Sequence, residues 1–198
     1  MEENIRTFVA IDFGQELKNK INELYKELSP LSTFVKWTKP ENIHITLKFF
    51  GAFPTNKLNL LYNILKRTLN EIKPFNIKIS GIGAFPNLKK PQIIWIGITE
   101  GAYELQTLQT NLDKHLISAS LCEAEKKPFN PHITIARIKS SVGINKYIDK
   151  IDFNNQKFIN IGIQNVNELR LIKSMLTSSG PEYSLVKAFP FKGKILNV

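Results

Sequence analysis

The chain has 198 residues, 42% of them hydrophobic and 22% charged, and a formal net charge of +10. That is the composition of an ordinary soluble globular protein, long enough for one large domain or two small lobes. The basic excess points to an anionic partner, nucleic acid first, because no lysine-lined amphipathic helix argues for a membrane surface.

Cys122 is the only cysteine. An internal disulfide or a cysteine-built zinc site is thereby excluded, and a reducing cytosol fits. A lone thiol is more often a small filler than a nucleophile. The opening Met1-Glu2-Glu3-Asn4-Ile5-Arg6-Thr7 lacks the basic start and apolar stretch of a signal peptide, and no apolar run is long enough to span a bilayer. A cytoplasmic monomer with no membrane partner is expected.

Ile5 to Phe13 reads as a strand centred on Phe8-Val9-Ala10-Ile11. Leu17, Ile21, Leu24 and Leu28 follow at helical spacing, and Ser29-Pro30 ends that helix. Val35-Lys36-Trp37 is a short extended piece, and Thr38 to Asn42 turns into a strand built on His44-Ile45-Thr46-Leu47. Gly51 to Thr55 reads as a loop. Leu58, Leu61, Tyr62, Leu65, Leu69 and Ile72 lay an apolar stripe along a second helix, which Pro74 stops. Phe75 to Ile82 alternates as a strand does, and Gly83 to Pro91 is a loop. Ile93 to Ile98 is apolar throughout and predicts a strand buried on both faces. Leu105, Leu108, Leu112 and Leu116 mark a third helix over Gly101 to Ser118. Glu123 to Pro131 is a charged loop that leads into a second copy of the earlier pattern, His132-Ile133-Thr134-Ile135. Ile144, Ile148 and Ile151 suggest a short helix. Phe158 to Val166 and Asn167 to Leu176 read as strands, Thr177 to Pro181 as a turn, and Tyr183 to Ile195 as the last strand or strands.

The two His-x-Thr copies lie in different halves of a crude strand-and-helix duplication. Alternation with a period of two puts His44 and Thr46 on one face and Ile43, Ile45 and Leu47 on the other. His132 and Thr134 repeat this against Ile133 and Ile135. The mixture of elements predicts an α+β fold with helices packed outside sheets. Two lobes related by an approximate twofold would bring both polar faces to one cleft. Two imidazoles there, with ordinary pKa values near 6.5, can act as a general base and a general acid. The threonine hydroxyls can hold non-bridging phosphate oxygens. Lys48 shares the parity of His44 and Thr46 and adds charge to that cleft. Arg137 has the opposite parity to His132 and reaches the cleft only if the strand ends or bulges first. Neither motif supplies further ligands at metal spacing, so no metal is expected. His115 flanks the leucine stripe of a helix and belongs to no motif. Trp37, Phe85, Trp95 and Phe129 are candidates to stack on a base, Trp37 and Phe129 foremost, although most such rings serve a core.

The paired pattern resembles the signature of the two-histidine phosphoesterase superfamily. Within it, the chain is similar to the RNA 2′,3′-cyclic phosphodiesterases, also called the 2′-5′ RNA ligase family. The likeness extends from Ile5-Arg6-Thr7-Phe8-Val9-Ala10-Ile11 through Trp37 to Gly51, Ile94-Trp95-Ile96-Gly97 and Phe129 to Arg137 to Leu171-Ile172-Lys173-Ser174 and Tyr183. It implies one two-lobed domain over residues 1–198, two mainly antiparallel sheets lining a central cleft, and no cofactor. It implies opening of a 2′,3′-cyclic phosphate, on an RNA end or a nucleotide, to a 2′-phosphomonoester without a metal. His44 would be the proton donor to the leaving 3′ oxygen and His132 the proton acceptor from water. Thr46, Thr134 and Arg137 would hold the phosphate. The reverse reaction would join a cyclic phosphate end to a 5′-hydroxyl. Alternatives are cleavage of 2′-5′ oligonucleotide linkages and a non-catalytic RNA-binding module.

Overall fold

The apolar faces of the two motif strands seed two sheets. The computed structural model describes residues 3–152 and 154–193. Along the chain it contains β1 (Asn4–Asp12), α1 (Gln15–Glu27), β2 (Val35–Trp37), β3 (His44–Pro54), α2 (Leu58–Leu69), β4 (Phe75–Phe85), β5 (Ile93–Glu100) and α3 (Ala102–Ser118). There follow β6 (His132–Ile138), the short helices α4 (Asn145–Ile148) and α5 (Gln156–Ile159), and the strands β7 (Gly162–Val166), β8 (Glu168–Thr177) and β9 (Gly180–Pro190). The fold is α+β, as the mixed pattern predicts.

One sheet has the order β3-β1-β8-β9 and the other β2-β6-β5-β4-β7. Neighbouring strands run antiparallel throughout. Reading each sheet outward from its motif strand gives β3-β1-β8-β9 against β6-β5-β4-β7, which is the internal twofold. The sheets are not the two sequence halves, however. β8 and β9 come from the second half yet complete the sheet that carries His44, and β2 and β4 come from the first half yet lie in the sheet that carries His132.

Ile45, Ile133 and Ile135 are wholly buried and Leu47 nearly so. They join Leu61, Leu65 and Leu69 of α2 and Leu105, Leu108, Leu112 and Leu116 of α3 in one apolar cluster. Each such side chain stabilises the fold by about 1.5–3 kcal/mol relative to exposure. In α1, Leu17, Ile21 and Leu24 bury the face that the spacing predicts. His115 is a satisfied structural histidine, its Nδ1 lying 2.8 Å from Thr68 Oγ1 across the α2–α3 contact.

Several boundaries differ from the sequence reading. Gly51 to Pro54 is strand, because β1 extends far enough to pair Asn4 with Pro54 and Thr7 with Gly51. Gly83 to Phe85 is likewise strand, paired with Ile93 to Trp95. β5 is not buried on both faces: Ile94 and Ile96 enter the core, while Ile93, Trp95 and Gly97 stay half-buried on the other side. Trp95 lies across the neighbouring strand, where a Cβ on Gly83 would fall 2.3 Å from its indole. Only glycine permits that approach. Phe158 belongs to a helical turn rather than a strand, since the Asn155 side chain caps it by accepting from the Lys157 amide. The last strand closes at Pro190, and the part of the expected strand at Lys194 and Ile195 lies outside the described residues.

Candidate active site

Both motif strands carry the same irregularity at the same place. In β3, Ala10 pairs with Thr46 and Val9 with Lys48, leaving Leu47 as an extra residue. In β6, Trp95 pairs with Thr134 and Ile94 with Ala136, leaving Ile135 as the extra residue. A bulge of one residue inverts the alternation beyond it. Lys48 and Ala136 therefore turn into the core side, and Phe49 and Arg137 turn to the polar face. Arg137 thus joins His132 and Thr134 despite its sequence parity.

The expectation for Lys48 fails for the same reason. Its side chain is only 3% exposed and points away from His44. Its Nζ lies 2.9 Å from Glu125 Oε1 and 3.2 Å from Asp113 Oδ1.

His44, Thr46, His132, Thr134 and Arg137 line one cleft of about 670 Å³. Arg6, Lys36 and Lys39 line it too, and among the described residues on its wall there is no carboxylate. Phe49 also faces the cleft, with the Arg6 guanidinium 4.7 Å above its ring centre. Sequence reasoning missed Arg6, Lys36, Lys39 and Phe49. A signal for Phe49 existed, since it stands at the same distance from His44 as Arg137 does from His132. Trp37 reaches this cleft, while Phe85 and Phe129 line a second cavity of about 1130 Å³ that shares Thr46, Phe49 and His132 with the first. The second cavity is larger but meets only one of the two motif imidazoles. Among the described residues, no three His, Cys, Asp or Glu side chains are gathered as metal ligands would be.

The two imidazoles are held alike. His44 Nδ1 lies 2.7 Å from the Asn42 carbonyl oxygen, and His132 Nδ1 lies 2.7 Å from that of Asn130. A carbonyl only accepts, so each Nδ1 carries a hydrogen and each Nε2 is the titrating nitrogen. His44 Nε2 is 2.9 Å from Thr46 Oγ1. Rings buttress both: Phe8 lies 4.8 Å from His44, and Phe85 meets His132 edge-on at 4.9 Å.

Their electrostatic settings differ. Burial depresses the pKa of His44; the Asn42 carbonyl and the Asp12 carboxylate oppose that, while Lys18 and His132 add to it. Asp12 pairs with His44 across β1 and β3 and is itself held by Lys18 at 2.6 Å and by Arg170. Burial also depresses His132, with the Asn130 carbonyl opposing and Arg137 reinforcing. Two imidazoles of lowered proton affinity thus flank a cationic cleft, one with the Asp12–Lys18 pair behind it and the other faced by Arg137. Such a site can bind a phosphate ester and pass protons on either side of it.

Comparison with known proteins decides the family. An RNA 2′,3′-cyclic phosphodiesterase of Aquifex aeolicus is 33% identical over 96% of this chain and 98% of its own length. One from Archaeoglobus fulgidus is 34% identical over 93% of this chain and 99% of its own. The chain belongs to the RNA 2′,3′-cyclic phosphodiesterase family. It is accordingly an enzyme of the two-histidine phosphoesterase superfamily. The family model described as LigT like phosphoesterase matches residues 11–95. Among solved structures, TT0787 of Thermus thermophilus shares the fold with a TM-score of 0.81 at 24% identity, over 96% of this chain and 100% of that one. Escherichia coli LigT, in a complex with 3′-AMP, gives a TM-score of 0.74 at 24% identity over 96% of this chain and 99% of that one.

Proposed function

We propose that this enzyme hydrolyses the 2′,3′-cyclic phosphate of an RNA end or nucleotide to a 2′-phosphomonoester, with His44 as proton donor and His132 as proton acceptor. The observation that carries the reading is the meeting of both His-Thr faces and Arg137 in one cleft. His132 Nε2 takes a proton from water as its oxygen bonds to phosphorus. The bond from phosphorus to O3′ breaks, and His44 Nε2 gives that oxygen a proton. Thr46, Thr134 and Arg137 hold the non-bridging oxygens, whose charge redistributes in the transition state.

The assignment of roles rests on the charges around each ring. Asp12 favours the protonated form of His44, as a donor needs, and Arg137 disfavours it at His132, as an acceptor needs. Burial lowers the proton affinity of His44, and an anionic phosphate entering beside it raises it again. A 5′-hydroxyl in the place of water would give ligation, His132 Nε2 taking its proton as its oxygen bonds to phosphorus and His44 Nε2 protonating O3′ as before. Phe49 and Trp37 offer faces on which a base can stack. The single cysteine and the basic cleft support a cytoplasmic, RNA-directed role for one two-lobed unit acting as a monomer.

The test is turnover of a 2′,3′-cyclic nucleotide and of a cyclic-phosphate RNA end in EDTA, with the product isomer identified. A 2′-phosphate from both substrates is the expected result. No product, a 3′-phosphate, or activity abolished by EDTA overturns the reading.

A further inference from the structure

Among the described residues, the most deeply buried charged side chain is that of Lys48. The bulge at Leu47 turns it from the His44 face toward α3 and the connector that leads from α3 to β6. There its ammonium meets Asp113 of α3, Glu125 of the connector at 2.9 Å, and the Glu123 carbonyl at 3.3 Å. Burial works against its charge, but the bonds to Glu125 and Asp113 outweigh it and hold its pKa above the ordinary lysine value. A buried ammonium with two carboxylates is a costly arrangement unless its geometry is closely satisfied. At the twofold-related position, the second strand has Ala136. Nothing in the repeat itself requires a cation here.

The connector that Lys48 grips is the one that orders His132. Asn130, whose carbonyl accepts from His132 Nδ1, stands a few residues beyond Glu125 on the same segment. Lys48 itself follows His44 and Thr46 on β3. One side chain thus ties the strand of the first imidazole to the segment that sets the ring of the second. We infer that Lys48 is a positioning residue: by clamping the connector to β3 it fixes the Asn130 carbonyl, and through it the tautomer and orientation of His132 relative to His44. The inference rests on the acid–base reading of the two histidines.

The test compares the wild-type enzyme with Lys48→Met on a 2′,3′-cyclic nucleotide. Misplacing a catalytic group by about an ångström can lower rates by up to about a hundredfold. A fall in kcat of roughly tenfold or more, with little change in KM, is expected on that basis. The limb of the pH–rate profile that belongs to His132 should move, and its ¹⁵N resonances should report a mixture of tautomers. Unchanged kcat, pH limb and tautomer, with only a lower Tm, overturns the inference and leaves Lys48 a stability residue. If Lys48→Met does not fold, Glu125→Gln serves, since Glu125 is 56% exposed. That variant should show the same changes to a smaller degree, and wild-type values of kcat and tautomer in it overturn the inference. A triple variant, Lys48→Met with Asp113→Asn and Glu125→Gln, removes the carboxylates left without a cation. Recovery of Tm without recovery of kcat supports positioning; recovery of both overturns it. Absence of turnover in the wild type would instead sink the proposed function.

Discussion

The two motif strands are copies in backbone and differ in the charges set around their histidines. Each places a histidine and a threonine on the cleft, hands Nδ1 to a carbonyl of the preceding segment, and bulges one residue after the threonine. Beyond the bulge the copies part. β3 sends Phe49 to the cleft and Lys48 inward, whereas β6 sends Arg137 to the cleft and Ala136 inward. An anion stands opposite His44 and a cation beside His132. A duplicated scaffold gives two equivalent imidazoles, and the proposed hydrolysis needs inequivalent ones. The residues beyond the bulge and the partner across β1 supply the difference.

The comparison breaks most completely where the copies agree. His44→Ala and His132→Ala should each lower kcat by about a hundredfold or more, since general acid and base each contribute on that scale. Steady-state turnover of a cyclic nucleotide measures it, and a variant that keeps most of its activity would remove its histidine from the mechanism.

Where the copies differ, the effects should divide between rate and binding. Arg137→Gln removes charge-assisted hydrogen bonds worth about 1.5–3 kcal/mol, so kcat/KM should fall by about ten- to a hundredfold. Phe49→Ala removes a stacking face worth about 1–3 kcal/mol per base. Its loss should be seen mainly in KM for nucleotides and spare a cyclic phosphodiester that has no base. Equal losses on both substrates would show that Phe49 shapes the site rather than receiving the base.

The shared depression of the two histidines gives a smaller effect, with a definite sign. Their folded pKa values lie below the unfolded value of about 6.5. Above that pH both states are neutral and the full stability is present. As pH falls from about 6.5 toward the folded values, the unfolded chain binds protons that the folded one refuses, and stability is lost. Tm should therefore decline below about pH 6.5, and less steeply in a His44→Gln, His132→Gln double variant. The smallest effect should be that of salt. Raising ionic strength should increase KM for a cyclic-phosphate oligonucleotide more than for a cyclic mononucleotide, because Lys36 and Lys39 extend the charge of the cleft along its rim.

Much of this was legible in the residues. The period of two announced the apolar sides of both motif strands, and Ile45, Ile133 and Ile135 are wholly buried as it predicted. The leucine stripes marked α2 and α3, and the repeated His-x-Thr marked the cleft. The bulges were not legible, because Leu47 and Ile135 are apolar residues among apolar residues and nothing local tells an extra one from a paired one. Lys48 was misplaced for that reason alone, and Arg137 could be placed only through the family resemblance. The exchange of β2, β4, β8 and β9 between sheets depends on pairings such as Thr7 with Lys173, which no local pattern encodes. Arg6 gave no signal because its role depends on that same distant packing and on Phe49 beneath it.

That exchange also constrains how the protein is made. The strand beside which His44 lines up, β1, precedes every other strand among the described residues, yet it takes β8 as its other neighbour. Until Thr177 has been synthesised, β1 has an edge with no partner, and vectorial folding of the first half cannot finish the sheet. The second sheet has all but the short β2 from one continuous stretch and can close earlier. The sheet that carries His44 is therefore complete only once the C-terminal hairpin β8–β9 has docked on β1.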